Sequence, residues 1–139
     1  NDLNNTKKND KDLSPEEQFQ SAFDLLLSQQ FDKAKNALQN FIKNNQKNNL
    51  SGSAHYWLGE IFLLKKEYRD AALILAEGYQ KYPSSIKAPD ILYKLSTSLI
   101  KIEKIEDACN TLIKFTKEYP NHKLIEDTNN KLLEFDCMS

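Results

Sequence analysis

The sequence predicts an all-α fold, a solenoid of three helical hairpins followed by a C-terminal capping helix. The first observation is a repeat, because Ala34, Ala71 and Ala108 follow one another at intervals of 37 residues. The second is an apolar spacing of three and four residues in segments such as YWLGEIFLL, which indicates helix rather than strand. The third is a content of only 3 glycines and 4 prolines, fewer than β-sandwiches and nucleotide-binding α/β folds use in their turns.

Equivalent residues surround the three alanines in one register. Bulky residues lie three positions before and four positions after each alanine, and small residues lie twelve positions before. These sets are Phe31, Tyr68 and Ile105; Leu38, Leu75 and Leu112; and Ala22, Gly59 and Ser96. Pro83 and Pro120, each preceded by tyrosine, lie twelve residues after the second and third alanines, where the first repeat has Gln46. Matches at so many positions predict repeating structural units.

Each unit is predicted to be a helical hairpin. Gly59 and Ala71 are small at the points where two antiparallel helices would come closest. Proline after the second helix cannot continue it and begins the next turn. The predicted repeats and the capping helix cover residues 15–48, 52–85, 89–122 and 123–136. The last helix would cover the exposed flank of the third hairpin, as terminal caps of solenoids do.

The N-terminal segment has a different composition from the rest. Residues 1–13 are almost wholly polar, so they cannot bury enough apolar surface to become ordered, and we predict a disordered linker or tail. Ser14 followed by Pro15 and Glu17 is typical of a capping box at a helix start. The folded domain is therefore predicted to cover residues 14–139.

Charge and hydropathy exclude several classes of function. With 19 basic and 20 acidic residues, the chain has no broad positive surface for nucleic acid or for an anionic membrane. No apolar run approaches the ~20 residues that cross a bilayer. We therefore expect neither nucleic-acid binding nor direct membrane insertion.

Motifs for catalysis are also lacking in the sequence. His55 and His122 are far apart, and no close Cys/His spacing of a zinc site occurs. The glycines Gly52, Gly59 and Gly78 are isolated, so none of them belongs to a phosphate-binding loop. No serine lies in a Gly-x-Ser-x-Gly turn. We expect a protein that is not an enzyme and that holds no cofactor or metal.

The second repeat resembles the tetratricopeptide repeat at the small and large positions of its consensus. The matching residues are Leu58, Gly59, Phe62, Tyr68, Ala71, Gly78 and Pro83. The third repeat keeps Leu95, Ala108 and Pro120 but has Ser96 in place of glycine. The resemblance implies a right-handed α-solenoid of tetratricopeptide-type hairpins, with a period of 37 residues rather than the usual of about 34.

Three runs carry a closer resemblance: AHYWLGE at 54–60, YPSSIKAPD at 82–90 and ACNTL at 108–112. They are similar to the C-terminal tetratricopeptide domain of the CpoB family, also called YbgF, the cell-division coordinators of the Tol–Pal system. The resemblance covers roughly residues 16–135. The YWLGE run is the most specific part of it.

The resemblance implies a non-enzymatic periplasmic scaffold that binds TolA and helps coordinate outer-membrane constriction with septal peptidoglycan synthesis during cell division. Components of the septal peptidoglycan synthases would be a second class of partner. Members of the family carry a signal peptide, a trimerising N-terminal coiled coil and a polar linker. Residues 1–13 are similar to that linker, and a trimer would form only through the coiled coil, which this chain does not contain.

Two other functions stay open. One is the tetratricopeptide lipoprotein of the outer-membrane β-barrel assembly machine, which shares the Tyr-Pro ends but has a lipidated N-terminal cysteine and more repeats. The other is a general co-chaperone that clamps peptide tails with lysine, arginine and asparagine side chains in its groove. The face predicted here is aromatic and nearly uncharged, which disfavours the clamp.

The binding surface that the resemblance implies is the concave face, formed by the first helix of each hairpin. The residues predicted on it are Phe19, Phe23, Leu26, Tyr56, Glu60, Leu63, Tyr93, Thr97 and Ile100. Aromatic side chains bury a large area at low entropic cost and dominate binding energy, so they would be the anchors. Glu60 would fix the register of the partner by pairing with a lysine or arginine.

Core packing is the alternative interpretation of these residues. Phe19, Phe23 and Leu26 lie in the first repeat, where they would serve equally well as core or as a contact with a preceding region. Tyr56 and Tyr93 are predicted to be more exposed. Trp57, beside the interior of the hairpin, is predicted to be a packing residue.

Two cysteines are present, Cys109 early in the sixth helix and Cys137 after the capping helix. If these helices run antiparallel, the two residues lie about one turn apart in level, and a disulfide is possible because its Cα atoms must lie within ~7 Å. An oxidising periplasm would favour the bond. A buried free Cys109 with an exposed free Cys137 is the alternative.

Overall fold

The computed structural model describes residues 12–137, which form seven α-helices and contain no strand. The helices are α1 (Pro15–Leu27), α2 (Phe31–Asn44), α3 (Leu50–Leu64), α4 (Tyr68–Lys81), α5 (Ala88–Lys101), α6 (Ile105–Glu118) and α7 (Ile125–Glu134). They pair as three hairpins, α1/α2, α3/α4 and α5/α6, and α7 packs on α6. The predicted all-α solenoid of hairpins with a capping helix is confirmed.

Two predicted boundaries differ from those of the helices. The second and third hairpins begin at Leu50 and Ala88, two residues and one residue before the predicted starts at 52 and 89. The predicted linker over residues 1–13 lies, except for its last two residues, outside the part of the chain that the structure describes.

The capping box at the first helix forms as the sequence predicts. The Ser14 amide donates to the Glu17 carboxylate at 2.9 Å, and the Glu17 amide donates to the Ser14 hydroxyl oxygen at 3.1 Å. Both amides belong to the first turn, where no intrahelical acceptor is available. The side chains therefore replace the hydrogen bonds that the helix itself cannot supply.

The first helix of each hairpin ends in the same turn. Gln29, Lys66 and Glu103 have φ of 62°, and Asp136 after the capping helix has φ of 53°. In each case the following amide bonds a carbonyl five residues earlier, as Glu67 does to Phe62 at 2.8 Å. This left-handed position usually carries glycine, and other residues occupy it at a cost of roughly 1 kcal/mol. The capping helix thus ends as a first helix of a hairpin does.

Small residues set the distance between the two helices of a hairpin. A Cβ added at Gly59 would lie 2.5 Å from a methyl carbon of Leu75, and one added at Gly78 would lie 2.6 Å from the Cβ of His55. Leu75 and His55 are completely buried. The helices α3 and α4 can therefore approach this closely only because these two positions lack a side chain.

The buried His55 connects the two helices of the second hairpin. One ring nitrogen, Nδ1, lies 2.6 Å from the Ser51 carbonyl oxygen, and the other, Nε2, lies 2.8 Å from the Glu77 carboxylate. Through these two contacts the imidazole links the Ser51 backbone of α3 to the Glu77 side chain of α4. Glu77 is partly exposed, and His55 is a structural residue of this hairpin.

Candidate functional site

The first helices of successive hairpins form a continuous layer. Helix α3 contacts α1 on one side and α5 on the other. We call the line of contact between α1 and α3 the first seam and that between α3 and α5 the second seam. The nine residues predicted on the concave face all belong to these three helices, and the two seams decide how far each side chain is exposed.

Tyr56 is not the exposed anchor that the sequence analysis predicts. It is only 8 % exposed, because α5 covers it from the next repeat. Burial, and then the charges of Glu60 and Asp90, raise the pKa of its hydroxyl above the usual range. The expectation of exposure at Tyr56 is therefore wrong, and the physical reason is packing between repeats.

Tyr93, the equivalent residue one repeat later, is half-buried. Its ring lies 6.4 Å from that of Phe115, and the Lys131 ammonium of the capping helix lies 5.8 Å from its centre. Burial, and then the charges of Asp127 and Glu134, raise the pKa of its hydroxyl. The Lys131 side chain of the capping helix lies over the ring of Tyr93, which stays more exposed than Tyr56.

Glu60 already has partners inside the protein. The Tyr56 hydroxyl donates to its carboxylate at 3.3 Å, and the Lys94 ammonium lies 3.4 Å from the other oxygen. A partner's lysine or arginine would have to compete with Lys94 for this carboxylate. Glu60 could therefore fix a partner's register, as predicted, only if the partner displaced Lys94.

The remaining predicted residues are half-buried on the same layer. They are Phe19, Phe23 and Leu26 on α1, Leu63 on α3, and Thr97 and Ile100 on α5. Phe19 packs edge-on against Phe41 of the core at 5.6 Å between ring centres, so core packing accounts for much of its surface. Leu63 and Thr97 line a shallow groove of about 370 Å³ at the second seam.

Aromatic residues fill the first seam. The ring of Trp57 lies 5.2 Å from that of Phe23 and 4.9 Å from that of Tyr56, both edge-on. Trp57 packs against the buried residues of both the first and the second hairpin. The predicted packing role of Trp57 agrees with these contacts. Leu27 and Leu64, at equivalent ends of α1 and α3, are each 65 % exposed and extend the apolar surface.

Lysines line the second seam, and none of them is among the residues predicted from the sequence. Lys87, Lys94 and Lys101 are spaced by seven residues, so they lie on one face of α5, and we call them the lysine row. Lys87 lies over the Tyr56 and Trp57 rings at 4.9 and 5.3 Å, and Lys101 lies over the Tyr68 ring at 5.8 Å. The expectation of a nearly uncharged face is therefore wrong at this seam. The seven-residue spacing was the signal that could have found the row.

A second depression lies between α4 and α5 on the outer side of the layer. It has a volume of about 420 Å³ and is bordered mainly by apolar side chains. They include Ala72, Leu73, Ala76, Leu95 and Leu99. Leu73 is 71 % exposed, which gives this outer groove an open apolar wall and makes it a reference surface for tests of the concave face.

The structure joins Cys109 of α6 to Cys137 in a disulfide, with Cα atoms 5.2 Å apart. Cys137 is 8 % exposed and packs with Leu112 and Leu132, in contrast to the alternative of an exposed free thiol. The bond would tie the end of the capping helix to the third hairpin. In the part of the chain from 12 to 137, no group of three His, Cys, Asp or Glu side chains could hold a metal ion.

A sequence model of the tetratricopeptide repeat family matches residues 90–122, which comprise most of the third hairpin. Two relatives from Pseudomonas putida, one from strain KT2440, both named cell division coordinator CpoB, are 40% identical to this chain over 47 residues. That stretch is 34% of this chain and 18% of each relative, so the chain spans less than a fifth of the relatives' length. These matches support a tetratricopeptide repeat domain similar to that of CpoB, as the sequence analysis predicts.

Proposed function

From the similarity of this tetratricopeptide repeat domain to part of CpoB, we propose that the chain is a non-enzymatic scaffold of the Tol–Pal system. In this proposal it works in the periplasm, binds TolA, and helps coordinate outer-membrane constriction with septal peptidoglycan synthesis during cell division. The observation that carries the proposal is the 40% identity with a cell division coordinator over 47 residues. Peptidoglycan synthase components at the septum are the second class of partner.

The concave layer of α1, α3 and α5 is the proposed TolA-binding surface. Leu27 at the end of α1 and Leu64 at the end of α3 are large apolar side chains that remain mostly exposed, and Leu64 lines the groove of the second seam together with Tyr68. Exposed apolar side chains beside partly buried aromatic rings are typical of binding surfaces. Among residues 12–137 no helix is both long enough and apolar enough to span a membrane, and the proposal requires none.

The test is a titration of the purified periplasmic part of TolA into this chain, with Leu64→Asp as the binding variant. Leu64 is 65 % exposed, so the substitution should leave the fold intact while placing a charge on the apolar surface. We expect TolA binding to weaken at least about tenfold. Leu73→Asp is the matched control, because this leucine is 71 % exposed but lies at the outer groove.

Each outcome distinguishes the proposals. Weakening by Leu73→Asp alone would move the site to the outer groove, and no binding of TolA by the wild-type chain would overturn the proposed function. In a pull-down of envelope proteins with this chain, recovery of β-barrel assembly components in place of TolA would favour the assembly-machine lipoprotein.

A general peptide-binding co-chaperone is the second candidate, and the lysine row favours it. Clamps for peptide tails use basic side chains to bind carboxylates, and Lys87 and Lys101 have no carboxylate partner among residues 12–137. Binding of unrelated peptides that depends on a free C-terminal carboxylate would support this candidate. Equal binding of peptides with amidated C-termini would exclude it.

A further inference from the structure

We infer that the concave face binds an acidic, amphipathic α-helix of its partner, with carboxylates over the lysine row and apolar side chains over the first seam. The inference rests on the proposed concave binding surface and adds the chemistry of the segment that binds there. Its basis is that the two seams have equivalent backbones but different side chains.

The lysine row is spaced for a helix. Lys87 precedes the first residue of α5 and Lys101 is its last, so the row covers about 21 Å with about 10 Å between neighbouring Cα atoms. Another helix lying along α5 would match this spacing with a carboxylate at every seventh residue. An extended segment would need a carboxylate at about every third residue, and successive carboxylates would then point to opposite sides of the strand.

The charge at the second seam is incompletely balanced. Lys94 pairs with Glu60 at 3.4 Å, and Asp90 is the other acidic side chain near Tyr56. Lys87 and Lys101 make no ion pair within the described range 12–137. Their ammonium groups instead lie over aromatic rings, which holds them in place without neutralising them. Two fixed ammonium groups therefore remain for carboxylates of a partner.

The first seam supplies the apolar half of the same surface. Leu50, Trp57 and Leu64 of α3 occupy the positions that Lys87, Lys94 and Lys101 occupy on α5, since each pair is separated by 37 residues. Leu64 also lines the groove of the second seam with Lys94 and Lys101, so a helix lying on this layer would meet apolar side chains directly beside the lysine row. That pattern selects an amphipathic helix with acidic residues along one edge.

The probe is a synthetic peptide of about 20 residues, designed as an amphipathic helix with glutamate at every seventh position and leucine on the adjoining face. A second peptide carries glutamine in place of each glutamate. We expect the glutamate peptide to bind at least about tenfold more tightly at low salt, and the difference to shrink as salt is added.

The variant of the protein is Lys87→Gln with Lys94→Gln and Lys101→Gln. It should reduce binding of the glutamate peptide about tenfold, since Lys87 and Lys101 would each lose one exposed ion pair with the peptide. Lys43→Gln with Lys117→Gln and Lys123→Gln is the matched control, because it removes the same charge at exposed positions. Arginine at the three positions of the row should restore binding, and circular dichroism would verify that all variants stay folded.

Equal binding of both peptides, or equal losses in the two glutamine variants, would overturn the inference. The failure of the proposed function has a different signature. If TolA does not bind while the glutamate peptide does so through the lysine row, the Tol–Pal proposal is wrong and the inference stands. If TolA binds the lysine-row variant as tightly as the wild type, the function stands and the inference is wrong.

Discussion

The two seams between α1, α3 and α5 join equivalent helices and yet differ in chemistry. At the first seam, Trp57 of α3 packs edge-on against Phe23 of α1. At the second, Lys94 occupies the place of Trp57 one repeat later and pairs with Glu60. The repeated backbone therefore fixes where a side chain lies, while its identity decides whether the seam contributes apolar burial or charge.

This difference predicts an unequal contribution of the two seams to stability. Burial of an aromatic side chain stabilises a fold by several kcal/mol, whereas partly exposed ion pairs contribute about 1 kcal/mol or less. We therefore expect Trp57 at the first seam to contribute more to stability than Lys94, which occupies the equivalent position at the second seam. Substitutions at equivalent positions can test this division.

The largest effect is expected at the C-terminal end, where a covalent bond would supplement packing. Cys109→Ala with Cys137→Ala removes a link between residues separated by 28 positions, and loop entropy predicts a loss of about 3 to 4 kcal/mol in the free energy of unfolding. Urea unfolding followed by circular dichroism measures the loss. Reduced wild-type protein is the control and should resemble the variant. If the mass of the native protein under non-reducing conditions showed two free thiols, the disulfide would be absent and this prediction would be wrong.

Trp57→Ala tests the first seam. The ring is partly buried between Phe23 and Tyr56, so its loss should destabilise the protein by about 3 kcal/mol. Trp57→Phe keeps an aromatic ring there and should cost clearly less. Trp57 is the only tryptophan, so unfolding has to be followed by circular dichroism rather than by tryptophan fluorescence. A loss below about 1 kcal/mol would mean that the first seam does not carry the stability that we assign to it.

Gly59→Val would disturb both seams together, because it acts on α3, which borders both. The added side chain would collide with Leu75, 2.5 Å from the new Cβ, and we expect a loss of about 2 kcal/mol. Ser96→Ala is the control at the equivalent position of the third repeat, where a Cβ is already present, and its effect should stay near 0.5 kcal/mol. Similar losses from both variants would show that the missing side chain of Gly59 is not what allows α3 and α4 to pack closely.

The smallest effect is expected at the second seam. Lys94→Met removes the ion pair with Glu60 and keeps most of the aliphatic stem. The free energy of unfolding, measured by heat or urea, should therefore fall by less than about 1 kcal/mol. The same variant should weaken binding of the glutamate peptide. A loss of stability as large as that of Trp57→Ala would contradict the division between the two seams.

Much of the fold could be predicted from local pattern. The positions of Ala34, Ala71 and Ala108 repeat every 37 residues, and small residues recur where helices touch, because a hairpin cannot close over a large side chain. The start at Ser14 also followed from its neighbours alone, since a capping box involves residues within one turn.

The concave face was predicted less well, since its exposure depends on the next repeat. The sequence places Tyr56 on the correct helix, but only the packed array buries it under α5 and brings Lys87 over its ring. The seven-residue spacing of the lysine row is visible in the sequence, but its position over aromatic rings of the second hairpin depends on tertiary packing.

By itself, the sequence determined the repeat, the hairpins and the helices that form the inner layer, because these follow from the short-range spacing of small and apolar residues. Only the tertiary structure decided which inner side chains stay accessible and what charge they present. The physical reason is that each seam is made by two helices far apart in the chain, so the burial of one side chain is set by residues that a local pattern does not include.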